Sequence, residues 1–164
     1  LNNFKKIEND FKCIFIGGPS GKYGNEYLEE LERTVEKLSL DTHVEFVDNL
    51  PQTKIIKLLN KAKLLIHTSQ FETFGLVAIE AQTMGVPVLS INNGSLMEII
   101  ENNKNGYLSE TLIDRGVTNF VSNLLNENKI FEEISSSCIE MSKKYDWKKT
   151  SHIIQNIYEE LVTY

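Results

Sequence analysis

Short apolar runs alternate along this chain with longer stretches whose apolar residues recur every three or four positions. That alternation constrains the fold more than any other feature. Residues 12–17 (KCIFIG), 64–67 and 87–91 are runs of strand length with few polar interruptions, and 43–47 alternates as a half-buried strand does. Between them, residues 25–39 carry Leu28, Leu31, Val35 and Leu38 on one helical face, and 52–62 carry Ile55, Ile56, Leu58 and Leu59. A third helix is expected from Phe74 or Gly75 to about Met84, where Gly85 and Pro87 stop it. A turn at 92–94, a short helix at 95–101 and an Asn105-Gly106 turn lead to a brief strand at 107–108. Everything from Thr111 onward reads as helix. Strands alternating with amphipathic helices mean βαβ units, so the expected fold is α/β: a doubly wound parallel sheet of about five strands, flanked by the helices of residues 111–164. Ligands in such sheets bind beyond the carboxyl ends of the strands. The loops after Ile16, Val47, Ile66 and Leu89 are therefore the places to search.

Composition narrows the partners. A chain of 164 residues that is 41% hydrophobic and 24% charged is an ordinary globular domain, read here as a single one over residues 1–164. Its net charge of −6 argues against nucleic acid, which selects a basic face. No apolar run is long enough for a transmembrane segment. Cys13 and Cys138 are far apart, and Cys13 lies in an apolar run as a small core residue would; the expected compartment is the cytoplasm. The first residue is leucine, and Leu1, Phe4, Ile7 and Phe11 recur at helical spacing. The sequence thus reads as starting inside an amphipathic helix of a longer, N-terminally truncated protein.

Two loops carry candidate chemistry. GGPSGKYG follows the first strand, but Gly21-Lys22 is followed by Tyr23 and Ile16 stands where a phosphate loop needs its first glycine. The dinucleotide spacing fails as well. Backbone at Gly17 and Gly18 can still approach an anion closely, and that reading stands beside a plain tight turn. The segment QFETFGLVAIEAQTM is more informative. The N–H groups near Gly75 and Leu76 open a helix and form an anion site. Glu80 lies about 7.5 Å further along the axis, a separation that suits a phosphate and a ribose hydroxyl pair. Glu72 precedes the helix, where it could meet a sugar beyond the phosphates. The bland alternative is one loop acid and one solvated helix acid, although Glu80 sits among Val77, Ala78, Ile79 and Ala81, where an acid is usually paired or functional.

The run SQFETFGLVAIEAQTMGVPVLS closely resembles the E-x7-E signature of retaining GT-B glycosyltransferases of family 4, the group 1 glycosyl transferases. GGPSG after a strand, VEFVDNLPQ, NNGSLMEIIENNKNGYL and the closing YDWKKTSHIIQNIYEEL resemble the same domain in order and spacing. GGPSG with EAQTMG looks most like the branch of mycothiol-pathway GlcNAc transferases and sucrose-phosphate synthases. The resemblance implies a Rossmann-like C-terminal half of a GT-B fold. It implies a nucleotide diphosphate sugar, UDP-linked, as substrate, with no cofactor and no bound metal. Glu80 would then bind the ribose, and Glu72, the one residue assigned to the catalytic centre, would face the donor sugar as a positioning group. The backbone of Phe74, Gly75, Leu76 and Val77 would contact sugar and diphosphate, Gly17 and Gly18 would approach the donor, and Asn49, Leu50 and Pro51 would border the base.

This chain departs from the family pattern at two points. Gly94-Ser95 replaces two adjacent glycines, and Met97 a common proline. The basic strand-and-loop that holds the diphosphate, and the domain that binds the acceptor, are expected upstream of Leu1. His67 reads as a core or loop histidine, while His43 and His152 read as structural or solvated. Lysines 143, 144, 148 and 149 read as a solvated helix end, with peripheral attachment to the cytosolic face of a membrane as the alternative. Two other functions share the architecture: a non-catalytic nucleotide-sugar-binding module and a sugar-nucleotide epimerase.

Overall fold

The computed structural model describes residues 5, 8, 10–92 and 94–162. The expected helical start on Leu1, Phe4 and Ile7 lies outside the described residues. The chain divides into two compact units at residues 58 and 59.

In the first unit, β1 (Cys13–Ile16) and β2 (Val44–Val47) flank α1 (Gly24–Lys37), and α2 (Gln52–Leu59) follows. β1 and β2 pair in parallel with Cys13 opposite Val44 and Ile16 opposite Val47. That register stacks the Phe15 and Phe46 rings at 5.0 Å. Leu28, Leu31 and Val35 line the half-buried face of α1, as their spacing requires, and Leu40 is fully buried behind it.

The second unit carries β3 (Leu65–His67), α3 (Leu76–Thr83), β4 (Val88–Ile91), α4 (Leu96–Ile99), β5 (Gly106–Ser109), α5 (Arg115–Asn126) and α6 (Asn128–Ser142). A single 3-10 turn at Lys143–Tyr145 leads into α7 (Trp147–Val162). The ladder order is β3-β4-β5, all parallel, with His67 opposite Ser90 and Ile91 opposite Ser109. The five expected strands are present and their pairings are parallel, β1 with β2 in the first unit and β3-β4-β5 in the second. Periodicity identifies strands; it does not specify which neighbours they choose.

Position in the ladder also decides burial. β4 has a strand on each side and its Val88, Leu89 and Ser90 are fully buried, whereas β3 is half-buried along its length. β1, expected to be a buried strand, has a single ladder partner among the described residues, and its Phe15 and Ile16 remain 38% and 41% exposed. Cys13, expected in the core, is likewise only half-buried.

The core of the second unit is built by α3 and its neighbours. Ala78, Ile79 and Ala81 of α3 pack with Val86, Val88, Leu96, Ile99 and Ile100. Gly85 ends the helix in the left-handed region at φ +74°, and the Gly85 and Val86 amides reach back to the Gln82 and Ala81 carbonyls. Asn105 is fully buried, and both ends of its side-chain amide are hydrogen-bonded. Its Nδ2 donates to the Ile99 carbonyl at 2.8 Å, its Oδ1 accepts the Glu101 amide at 2.7 Å, and its carbonyl accepts the Cys138 thiol. Burial pushes that thiol up to about 12, which keeps Cys138 protonated and unreactive.

Gln82 is the exception among buried polar side chains. It is 0% exposed, and neither amide atom has a hydrogen-bond partner among the described residues. An unpaired buried amide costs about 1–3 kcal/mol, and methionine has nearly the same shape without the polar atoms. Gln82→Met should therefore raise stability by about 1 kcal/mol, read as a higher thermal midpoint; a midpoint lowered to the same degree would mean that Gln82 is paired.

Candidate functional site

Each unit gathers one cluster of the expected residues at the carboxyl ends of its strands. In the first unit the loops after β1 and β2 adjoin because the strands are parallel neighbours. The Gly17 amide donates to the Val47 carbonyl at 2.9 Å, at a φ of +136° that favours glycine. At Gly18 an added Cβ would sit 2.6 Å from Asp48 Oδ1 and 3.4 Å from Asn49 Nδ2. Glycine is thus favoured at residue 17 by its backbone conformation and at residue 18 by the close approach of the Asp48 side chain. Asp48, which sequence reasoning passed over, shapes that loop by accepting the Asn49 amide at 2.7 Å. Pro51 opens α2, its carbonyl accepting the Lys54 and Ile55 amides. Leu50 lines an apolar cleft of about 340 Å³ together with Ile14, Val47 and Leu58.

In the second unit the loop between β3 and α3 is held by Glu72. Its Oε1 accepts the Gly75 amide at 2.9 Å and the Phe74 amide at 3.1 Å, and its Oε2 lies 3.3 Å from His67 Nε2. These partners hold the Glu72 carboxyl below the ordinary glutamate range. The Gly75 amide has the largest effect and the Phe74 amide the next; partial burial opposes them, and the charge of His67 adds a smaller lowering. The expected anion site is thus partly filled by the protein itself: Gly75 and Phe74 serve Glu72. The next two amides, Leu76 and Val77, open the first helical turn, where no intrahelical acceptor exists.

Gly75 is at φ +76°, and a Cβ there would come within 2.6 Å of Ile99 Cδ1. Leu76, Val77 and Glu80 lie on one exposed face of α3, whose other face is the buried Ala78, Ile79, Ala81 and Gln82. The Glu80 carboxylate has no partner among the described residues; only its backbone carbonyl is used, by the Thr83 hydroxyl. Of the two expectations for an acid among apolar neighbours, paired or functional, pairing within the described residues is not met: the helix turns Glu80 outward. Phe74, Leu76 and Val77, all more than half exposed, leave an apolar surface around this carboxylate and the helix start.

Two further residues close the loop from behind. Gly94, at φ +47°, passes so near the Glu72 carbonyl that a Cβ would lie 2.2 Å from that oxygen. Ser95 donates its amide to the same carbonyl at 3.3 Å and places its hydroxyl 3.5 Å away. The departure from two glycines therefore keeps the first, which sterics demand, and replaces the second with a residue that can hydrogen-bond. His67, read as a core or loop histidine, is nearly enclosed at the end of β3 and is also the carboxylate's neighbour. A second cleft, about 440 Å³ and lined by Lys104, Phe120, Asn123 and Ile134 among others, includes none of the expected residues. Among the described residues no group of three His, Cys, Asp or Glu is placed to hold a metal, and no helix is long and apolar enough to cross a membrane.

Because Glu72 is ionised more readily in the folded chain, its stabilisation is fully present above the ordinary glutamate range and is lost as pH falls through the depressed folded value. Thermal midpoints of wild type and Glu72→Gln should differ at neutral pH and converge in acid. A difference independent of pH would mean that the carboxylate charge does not hold the loop.

The profile of the family described as Glycosyl transferases group 1 matches residues 1–155. The chain is 28% identical over 154 residues to a D-inositol 3-phosphate glycosyltransferase of Corynebacterium jeikeium, covering 94% of this chain and 36% of that protein. It is 27% identical over 161 residues to an uncharacterized glycosyltransferase of Methanocaldococcus jannaschii, covering 98% and 43%. The structure of Anabaena Alr3699/HepE in complex with UDP matches with a TM-score of 0.82 at 24% identity, over 99% of this chain and 44% of that one. Sucrose-phosphate synthase from Thermosynechococcus elongatus matches with a TM-score of 0.83 at 20% identity, over 99% and 42%. These structural likenesses are likenesses of fold. The chain spans less than half the length of each of these relatives.

Proposed function

The chain belongs to the Glycosyl transferases group 1 family, and from that premise we propose that it is the C-terminal, donor-binding half of a retaining GT-B enzyme of family 4. The full-length protein moves a sugar from a UDP-linked donor to an acceptor held by the remainder of the polypeptide. The observation that carries this reading is the start of α3: a carboxylate-braced loop, two first-turn amides and the unpartnered Glu80 on one exposed face. HepE, similar in fold, was crystallised with UDP and with UDP-glucose.

Each residue then has a task. Glu80 accepts the ribose hydroxyls, and the Leu76 and Val77 amides meet the diphosphate with the helix dipole behind them. Asn49, Leu50 and Pro51 border the base, and the backbone of Gly17 and Gly18 approaches the donor. Glu72, with Phe74 and Gly75, positions the sugar. Catalysis is mainly electrostatic, because negative charge develops on the departing diphosphate where fixed N–H groups already point. No side chain of this chain acts as a nucleophile, and no metal or cofactor is needed. Two free cysteines suit the reducing cytoplasm, with peripheral contact at the cytosolic membrane face as the alternative placement.

Calorimetry on the full-length protein tests the assignment. Glu80→Gln keeps one acceptor oxygen and loses the charge, so affinity for UDP should fall by about five- to 150-fold while folding is preserved. Unchanged UDP affinity in a folded variant would remove Glu80 from the ribose. Glu72→Gln, whose amide oxygen can still accept the Phe74 and Gly75 amides, should weaken UDP-glucose more than UDP.

A further inference from the structure

The Glu72 carboxylate is more completely held than its role as a sugar contact requires, and the extra partner is His67. Oε1 has both its acceptor directions taken by the Gly75 and Phe74 amides. Oε2 lies 3.3 Å from His67 Nε2, close enough for the two groups to interact electrostatically, and the Thr73 amide also acts on the carboxylate. The imidazole itself is nearly enclosed, its side chain 10% accessible against 24% for Glu72. It cannot drift, because the β3-β4 register puts Ser90 directly opposite. The fully buried Ser90 hydroxyl donates to the His67 carbonyl at 3.1 Å and lies 3.5 Å from Nδ1. The main chain of Glu72 is fixed from the other side by Ser95 and by the close pass of Gly94. Oε2, which takes neither the Phe74 nor the Gly75 hydrogen bond, is the oxygen left to meet a ligand.

We infer that His67 is a positioning residue for the donor sugar: backed by Ser90, it fixes the Glu72 carboxylate so that Oε2 keeps one orientation toward a sugar hydroxyl. With Nε2 facing Oε2, Nδ1 faces Ser90, whose single hydroxyl proton can go to the His67 carbonyl or to Nδ1; either bond keeps the histidine in place without competing for the carboxylate. A carboxylate held by the amides alone could pivot about its bond to Oε1 and offer Oε2 to several hydroxyls in turn. With His67 beside it, Oε2 keeps one orientation, and a donor whose hydroxyl lies along that orientation gains the charge-assisted bond. Ser90 and His67 make no contact with the nucleotide in this arrangement; they act through Glu72. The inference rests on the reading of Glu72 as the sugar contact.

The test measures UDP and UDP-glucose binding to the full-length protein by calorimetry, for wild type, His67→Phe, His67→Gln and Glu72→Gln, with a crystal structure of His67→Phe. His67→Phe fills the space without a donor, and His67→Gln returns an N–H near the position of Nε2. The expected result is unchanged UDP affinity in both His67 variants, UDP-glucose weakened by about three- to 30-fold in His67→Phe, and most of that loss restored in His67→Gln. In the crystal the Glu72 carboxylate of His67→Phe should leave its wild-type plane. Equal weakening of UDP and UDP-glucose would make His67 a structural residue and overturn the inference. So would a carboxylate that keeps its position without the imidazole, whichever ligand binds. If Glu72→Gln penalises UDP-glucose and His67→Phe does not, the positioning role alone falls; if Glu72→Gln has no selective effect, the reading of Glu72 as the sugar contact falls with it.

Discussion

The grip of one carboxylate on two backbone amides organises the candidate site. Glu72 spans three residues to accept the Phe74 and Gly75 N–H groups, and this brings the loop between β3 and α3 to a definite end. The helix start, its two outward amides and the exposed face of Leu76, Val77 and Glu80 follow from where that loop stops. The grip needs glycine at residue 75, because the left-handed backbone and the nearby Ile99 leave no room for a side chain. It needs glycine again at residue 94, where the Glu72 carbonyl occupies the space of a Cβ. Sterics and charge thus act on the same few atoms.

The remainder of the second unit provides a rigid backing for that loop. β4 lies between two parallel partners and is the most deeply buried strand, so α3 packs on a surface that cannot shift. Asn105 closes the opposite end of the sheet by satisfying three backbone and thiol groups at once. A site carried by such a unit can keep its donors aimed before any ligand arrives, which is the requirement for electrostatic stabilisation of a leaving group.

Much of this was legible in the residues. Apolar runs and helical spacing located all five strands and the main helices, because burial imposes those periods directly. The EFT-to-EAQ segment is where the residues place candidate chemistry, and Glu80 lies on the helix that the spacing predicts. Its orientation was not legible: α3 is apolar on both faces, so neighbours in sequence gave no sign that Glu80 turns outward beside Leu76 and Val77. Strand partners were not legible either, since crossovers permit several orders. The role of His67 depends on a register, His67 opposite Ser90, and on a loop that folds five residues back onto it. No local pattern records such a meeting. Ser95 was visible as a departure, but its hydrogen bond to the Glu72 carbonyl required the structure.

The central claim is that α3 presents its first-turn amides to a diphosphate and Glu80 to the ribose of the same nucleotide. A crystal structure of the full-length protein with UDP examines that claim most directly. The account predicts phosphate oxygens within hydrogen-bonding distance of the Leu76 and Val77 amides, with both ribose hydroxyls on the Glu80 carboxylate and Glu72 still holding Phe74 and Gly75. UDP bound elsewhere, or bound with Glu80 facing bulk solvent, would contradict it.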